Sequence, residues 1–98
     1  MSTEDDVFNN LKYRVEVHPY TGTRRYYNAA GQLHCEEGPA VVFVSGTVMW
    51  FQNGLRHRED GPAIIYPDGD SLWYLCGVEY SEHEYYTQLK YLNHDTPN

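Results

Sequence analysis

Two short segments carry the residues best able to do chemistry. His34-Cys35-Glu36-Glu37-Gly38-Pro39-Ala40 and His57-Arg58-Glu59-Asp60-Gly61-Pro62-Ala63 each set an imidazole beside two carboxylates. Nitrogen and oxygen donors in that arrangement could hold a divalent metal, and a carboxylate beside a histidine could orient a general base. A bland use competes with both. Gly-Pro turns the chain, the acid caps local backbone N–H groups, and the imidazole packs or bridges to the next unit. The sequence itself separates these readings. In the last copy the position of His57 is taken by Tyr80, and Ser81-Glu82 opens a helix. The motif ends where there is no further unit to join, whereas a catalytic constellation is needed once and not at every junction. His34, Glu37, Gly38 and Pro39, with His57, Asp60, Gly61 and Pro62, are therefore read as structural connectors. No catalytic residue, metal ligand or cofactor is expected. A metal-dependent hydrolase built on the two His/acid motifs is the third-ranked reading. Cys35 and Cys76 have no CxxC or CxxH companion, which excludes zinc-ribbon chemistry. Nucleophile elbows, Walker-type loops and HExxH patterns do not occur.

The second candidate is a series of rings. Tyr26, Trp50 and Trp73 occupy one repeat position, with Tyr27, Phe51 and Tyr74 beside them. Neighbours in a strand point to opposite faces, so the two series should line both sides of a sheet. A single-layer sheet cannot bury both sides by itself, and an aromatic face left over is an interaction surface. Arg24, Arg25, Arg56 and Arg58 are the local cationic residues and could hold one phosphate. Their bland alternative is cross-strand pairing with the many acids.

The element that must position these residues is a repeat. The His-to-Ala segment recurs at an offset of 23, from His34 to His57, and the offset continues from Gly46 to Gly69, Trp50 to Trp73 and Gly54 to Gly77. Gly22 to Tyr27 matches Gly46 to Phe51, with one extra residue before Gly31. A fixed period in the twenties marks a repeat architecture. Each unit reads as a β-hairpin. Strands over 40–44 and 63–66 turn at Ser45-Gly46 and Pro67-Asp68-Gly69, and return strands run over 47–52 and 71–75. Asn53-Gly54 and Cys76-Gly77 then close the unit. Upstream, Leu11, Tyr13, Val15 and Val17 alternate with polar residues, the pattern of a half-buried strand that pairs with 24–28. Ser81-Glu82-His83-Glu84 is a capping box, and Tyr85, Leu89 and Leu92 follow at helical spacing. The expectation is a mainly β (α+β) fold, a single-layer antiparallel meander of about three 23-residue hairpin repeats with a C-terminal helix. One domain over 1–98 divides into an arm or short helical turn (1–10), hairpin repeats (11–80), a helix serving as a lid (81–92) and a tail (93–98).

Composition sets the limits. At 98 residues the chain has the length of one domain, and a domain this small buries only about 60–65% of its unfolded surface. Fourteen acids against seven Lys plus Arg leave a formal charge of −7, which excludes the basic surface of a general duplex binder or an anionic-membrane binder. Aromatics reach 15%, with ten Tyr, so the chain is too apolar to be disordered throughout. No apolar run approaches the ~20 residues of a membrane span, and the start of the chain predicts no signal peptide. A cytoplasmic setting follows, in which Cys35 and Cys76 read as two small hydrophobes and not as a bridge.

The run Gly-Pro-Ala, two hydrophobics, Tyr-Pro-Asp-Gly, then Trp-Tyr-x-x-Gly and His-Arg-Glu-Asp-Gly-Pro-Ala resembles the HREDGPA-type, MORN-like hairpin repeats found in phages and large viruses. The resemblance covers roughly residues 20–80. It implies a single-layer β-meander without established catalytic residues. Typical MORN repeats run Tyr-x-Gly-x-x-x-x-Gly, which this chain does not follow, so their membrane and scaffold roles do not carry over. Cys35 and Cys76 stand where the pattern prefers Arg and Asn. Joined to the acidic charge, the resemblance implies a non-enzymatic protein–protein interaction module. Such a module would be a small viral or phage inhibitor of a host defence or nucleic-acid-handling protein, in the host cytoplasm and with a homodimer as a further association. The alternative is a binder of a nucleotide-like small ligand that uses the rings and arginines.

Overall fold

The computed structural model describes residues 12–93. The arm expected over 1–10, Leu11 of the first expected strand, and residues 94–98 of the tail lie outside that range. Within it, nine short strands precede one helix: β1 (Arg14–Val17), β2 (Arg24–Tyr27), β3 (Val41–Val42), β4 (Val48–Met49), β5 (Phe51–Gln52), β6 (Leu55–Arg56), β7 (Ile64–Ile65), β8 (Ser71–Leu75), β9 (Val78–Tyr80) and α1 (Glu82–Asn93). Seven strands form a sheet in the order β1-β2-β3-β4-β7-β8-β9, and β5 with β6 form a second ladder. Every pairing is antiparallel. The result is a mostly β meander of hairpin repeats closed by a single C-terminal helix.

The period of 23 reappears in the hydrogen bonds. In one hairpin turn Phe43 N–H donates to Thr47 O at 2.9 Å and Gly46 N–H to Phe43 O at 3.0 Å; in the next, Tyr66 N–H donates to Asp70 O at 2.8 Å and Gly69 N–H to Tyr66 O at 3.0 Å. The segments expected only to close each unit do more than that. Asn53-Gly54 joins β5 to β6, and Cys76-Gly77 joins β8 to β9, as two-residue hairpins. All four of these turn residues have positive φ, at 50°, 85°, 51° and 85° in chain order. That is the conformation of a type I′ turn, whose twist matches that of the strands it joins.

The expected return strand 47–52 is interrupted at Trp50, because Trp50 changes partners. Its N–H donates to Ala63 O at 2.7 Å, while its carbonyl accepts from His57 N–H at 3.2 Å. Tyr26 does the same one unit earlier, donating to Ala40 O at 2.8 Å and accepting from His34 N–H at 3.0 Å. The chain therefore leaves the ladder after each histidine and rejoins it at the next alanine, with five residues looping out between. Ala40 and Ala63 are 0% exposed, so the rejoining point is buried in both units. The core is strung along the repeat: Cys35, Ala40, Val41 and Phe51 cluster in one unit, and Ala63, Ile64 and Leu75 are buried in the next. Each fully buried large aliphatic contributes about 1.5–3 kcal/mol. The alternation of the first strand gives out at its end, where Val17 is 54% exposed.

Helix α1 starts as the capping box predicts. Glu84 N–H donates to Ser81 Oγ at 3.2 Å, and Ser81 N–H donates to Glu84 Oε1 at 3.3 Å. The helix packs on β8 and β9, with Tyr85 fully buried and Leu89 half-buried, while Leu92 reaches solvent. Cys35 is buried as expected, but Cys76 is exposed and both thiols are free. Cys76 sits at the left-handed turn position, which fixes its backbone and not its side chain.

A non-glycine residue in the left-handed region costs about 1–2 kcal/mol, and asparagine tolerates it best. Cys76→Asn, which copies Asn53 of the preceding unit, is expected to stabilise the fold by about 1 kcal/mol, a rise of several degrees in Tm. Thermal unfolding by circular dichroism checks this; an unchanged or lower Tm would show that the turn is not strained by the thiol residue.

Candidate functional site

Each excursion is held from several directions. His34 Nδ1 accepts the backbone N–H of Asn53 at 2.9 Å, and His57 Nδ1 accepts that of Cys76 at 2.8 Å. A backbone N–H can only donate, so both imidazoles carry their proton on Nε2. Nε2 in turn faces a carboxylate two residues on: Glu36 Oε2 at 3.4 Å and Glu59 Oε2 at 2.9 Å. Two further bonds complete each junction. Gly54 N–H donates to Leu33 O and Gly77 N–H to Arg56 O, both at 2.8 Å; Cys35 N–H donates to Phe51 O and Arg58 N–H to Tyr74 O, both at 3.3 Å. All three contacts recur at the offset of 23. The histidines thus reach from one unit into the turn of the next. The carboxylates depart from the expectation that they cap backbone N–H groups, for their bonds run chiefly to side chains. Glu37 meets Lys12 at 2.6 Å and the Tyr13 hydroxyl, and Asp60 accepts from Arg58 Nε at 2.9 Å.

Two tyrosines that the sequence did not single out enter the excursions. Tyr85 Oη donates to Arg58 O at 2.6 Å and accepts from Gly61 N–H at 3.3 Å. Tyr13 Oη donates to Glu37 and accepts from Glu36 N–H at 2.9 Å. Burial raises the pKa of both phenols, and for Tyr13 the bond to Glu37 adds to the shift. Lys12 and Tyr13 lower that of Glu37, and Glu37 raises that of Lys12. The capping-box and strand patterns placed both tyrosines on buried faces, but nothing in their spacing indicated that their hydroxyls would bond to the loops.

Between the two excursions lies an open groove of about 710 Å³. Glu36 and Glu37 line it from one loop, Glu59 and Asp60 from the other, with Trp50, Gln52, Asn53, Leu55, His57 and Arg58 among the remaining lining residues. The four carboxylate side chains are 54–86% exposed. Arg58 is the cationic exception and is already engaged. Its guanidinium lies 3.8 Å from the centroid of the Trp50 ring, with Nε on Asp60 and Nη1 donating to Pro62 O at 3.0 Å. Gly61 allows this closure, since a Cβ there would stand 2.9 Å from Arg58 Cζ.

Of the rings and arginines expected to bind, Trp50 and Arg58 line the groove and the rest do not. Arg25 lines a separate hollow with Glu16, Val17, His18 and Pro19. Arg24 is exposed on β2, and Arg56 spans Phe51 and Tyr74 at 5.6 and 5.5 Å. The four arginines form no common phosphate site. None of the six aromatic side chains stands exposed. Tyr13 meets Tyr26 edge-on at 6.0 Å, Arg58 covers Trp50, and Tyr85 and Tyr86 lie 4.8 and 5.6 Å from Trp73. Arg14 stacks on Tyr27 at 4.3 Å. The aromatic face expected to be left over is therefore covered, by side chains from the sheet and helix themselves. Among the described residues no group of three or more His, Cys, Asp or Glu could hold a metal ion, and no helix is long and apolar enough to cross a membrane.

The chain matches no family model, no curated protein and no solved structure.

Truncation tests both kinds of anchor. His57→Ala removes the acceptor of the exposed Cys76 N–H and is expected to lower stability by about 0.5–1.5 kcal/mol in urea unfolding, whereas Tyr85→Phe leaves Arg58 O and Gly61 N–H unpaired beneath the helix and should lower it by about 1–3 kcal/mol. Glu59→Gln, which keeps a hydrogen-bonding group near His57, should change it by less than 1 kcal/mol, roughly the scale of an exposed pair. A phenol whose folded pKa is raised contributes stability that is complete below its unfolded value of about 10 and is lost as pH climbs through the folded value. Stability should hence fall as pH rises past about 10, and less steeply in Tyr85→Phe. Equal slopes in the two proteins would remove Tyr85 as a cause.

Proposed function

We propose that this protein is a non-enzymatic protein-interaction module that engages the basic surface of a partner through the groove between its two acidic loops. In kind it is a small acidic inhibitor of phage or viral type, as the likeness to HREDGPA-type, MORN-like repeats suggests, acting on a host defence or nucleic-acid-handling protein. The observation that carries the reading is the groove wall. Four carboxylates from two successive loops, more than half exposed, line one open hollow in a chain of charge −7. Proteins that handle nucleic acid present basic patches, and complementary charge favours encounter and register.

The hydrolase reading is disfavoured by the state of its histidines. Each imidazole has one lone pair, on Nδ1, and a backbone N–H occupies it. Neither ring can take up a proton or ligate a metal without breaking the junction between units. The nucleotide-like ligand has weaker support as well, because its arginines are dispersed and Arg58 already covers the face of Trp50.

The test is affinity capture from host lysate with two baits, the natural chain and a variant carrying Glu36→Gln, Glu37→Gln, Glu59→Gln and Asp60→Asn. A specific protein held by the first, lost with the second, and released as salt shortens the Debye length from about 10 Å to about 3 Å supports the reading. Capture that survives neutralisation, or none with either bait, overturns it. Unchanged circular dichroism would show that the variant still folds.

A further inference from the structure

We propose that the outer edge of β1 pairs with β1 of a second copy, giving a two-fold antiparallel dimer centred on Val15. The backbone sets the register. Tyr26 directs both its N–H and its carbonyl away from β1, to Ala40 and His34. The Val15↔Tyr26 pair is therefore the non-hydrogen-bonded kind, and by alternation His18, two pairs removed from Glu16, bonds inward to Thr23 at 2.9 Å. The N–H and C=O of Val15 and Val17 consequently point out of the sheet, where no described residue meets them. A two-fold axis through Val15 joins each Val15 N–H to the carbonyl of the other Val15, as a hydrogen-bonded pair requires.

In that register the side chains agree on both faces. Arg14 falls opposite Glu16 of the second copy, and Glu16 opposite its Arg14, as a non-hydrogen-bonded pair with Cβ atoms about 4.5–5.5 Å apart. These residues are exposed and already form an ion pair within one strand. The dimer would close them into a ring of alternating charge. On the other face Val15 meets Val15, and the half-exposed Val17 lies opposite Tyr13. A symmetric interface of this kind must be self-complementary, and the sequence Arg-Val-Glu-Val is so only when centred on its first valine.

Sedimentation across about 1 μM to about 1 mM checks the proposal, with a concentration-dependent dimer expected. Val15→Pro removes one outward N–H and no bond to β2, so it should leave circular dichroism unchanged and abolish the dimer. Arg14→Glu and Glu16→Arg should each weaken the dimer at least tenfold, and the double reversal should restore it. Amide exchange at Val15 and Val17 should slow as concentration rises. A monomer throughout, a dimer indifferent to Val15→Pro, or protection of these amides independent of concentration would overturn it.

Discussion

A backbone N–H in a left-handed turn points away from the hairpin that contains it and has to find an acceptor elsewhere. In this protein the acceptor is an imidazole nitrogen supplied by the preceding unit: His34 for Asn53 and His57 for Cys76, at 2.9 and 2.8 Å. The arrangement works only if the imidazole is neutral with its proton on Nε2, and the neighbouring Glu36 and Glu59 face that proton. The turns themselves are exposed, so each junction bond contributes about 0.5–1.5 kcal/mol net, still a sizeable part of the stability of a domain this small. The junction bond adds to the β2–β3 and β4–β7 pairings that join successive hairpins into a stack. Neighbouring units otherwise share short strands and little core, as in repeat proteins generally.

The groove is a by-product of the same junction. To place the histidine at the next unit's turn and still return the alanine to the ladder, the chain must loop out for five residues. Tyr26 and Trp50 serve both ends of the excursion, bonding to the histidine through their carbonyl and to the alanine through their N–H. Two such loops side by side leave a hollow between them, and their acids line it because the carboxylates are the loops' remaining polar side chains. Asp60, at 86% side-chain exposure, retains most of its contact with water despite its bond to Arg58. Structure and candidate function therefore use different atoms of one motif: the imidazole Nδ1 faces inward, and the carboxylate oxygens face outward.

Much of this was legible in the residues. The period of 23, the Gly-bearing turns, the capping box at Ser81 and the linking role argued from Tyr80 all follow from local chemistry that acts over a few positions. The residues mark the β5–β6 and β8–β9 hairpins only as closing turns, because two or three paired residues on each side are too short a run for periodicity to register. The exposed aromatic face did not follow, since its cover comes from distant chain: Tyr13 over Tyr26, Tyr85 and Tyr86 beside Trp73. Arg58 over Trp50 is the more instructive miss. Spacing grouped it with three other arginines as a cation cluster, whereas Gly61 and the Pro62 carbonyl draw it back onto its own unit's indole. Sequence proximity ranks charges by number, but geometry decides which of them are already engaged.

A stack built on repeating donors and acceptors must also stop, and within residues 12–93 local substitutions alter the junction at the first unit and end it at the last. At the first unit Ala30 and Gly31 stand where Asn53 and Gly54 stand in the second. Their N–H groups bond within their own turn, to Asn28 Oδ1 at 3.0 Å and Asn28 O at 2.9 Å. The extra residue in that turn gives the asparagine room to reach back, and its side-chain oxygen also takes Gln32 N–H at 3.0 Å. At the last unit Ser81 stands where Cys35 and Arg58 stand before it, and its N–H turns to Glu84 instead of to a following strand. Tyr80 replaces the histidine and offers no ring nitrogen. The capping box that begins α1 is thus also the terminator of the repeat, so a further unit could be added only by unwinding the first turn of the helix. At the helix end growth is closed by these bonds, whereas β1, the opposite edge of the same sheet, keeps its outward backbone groups.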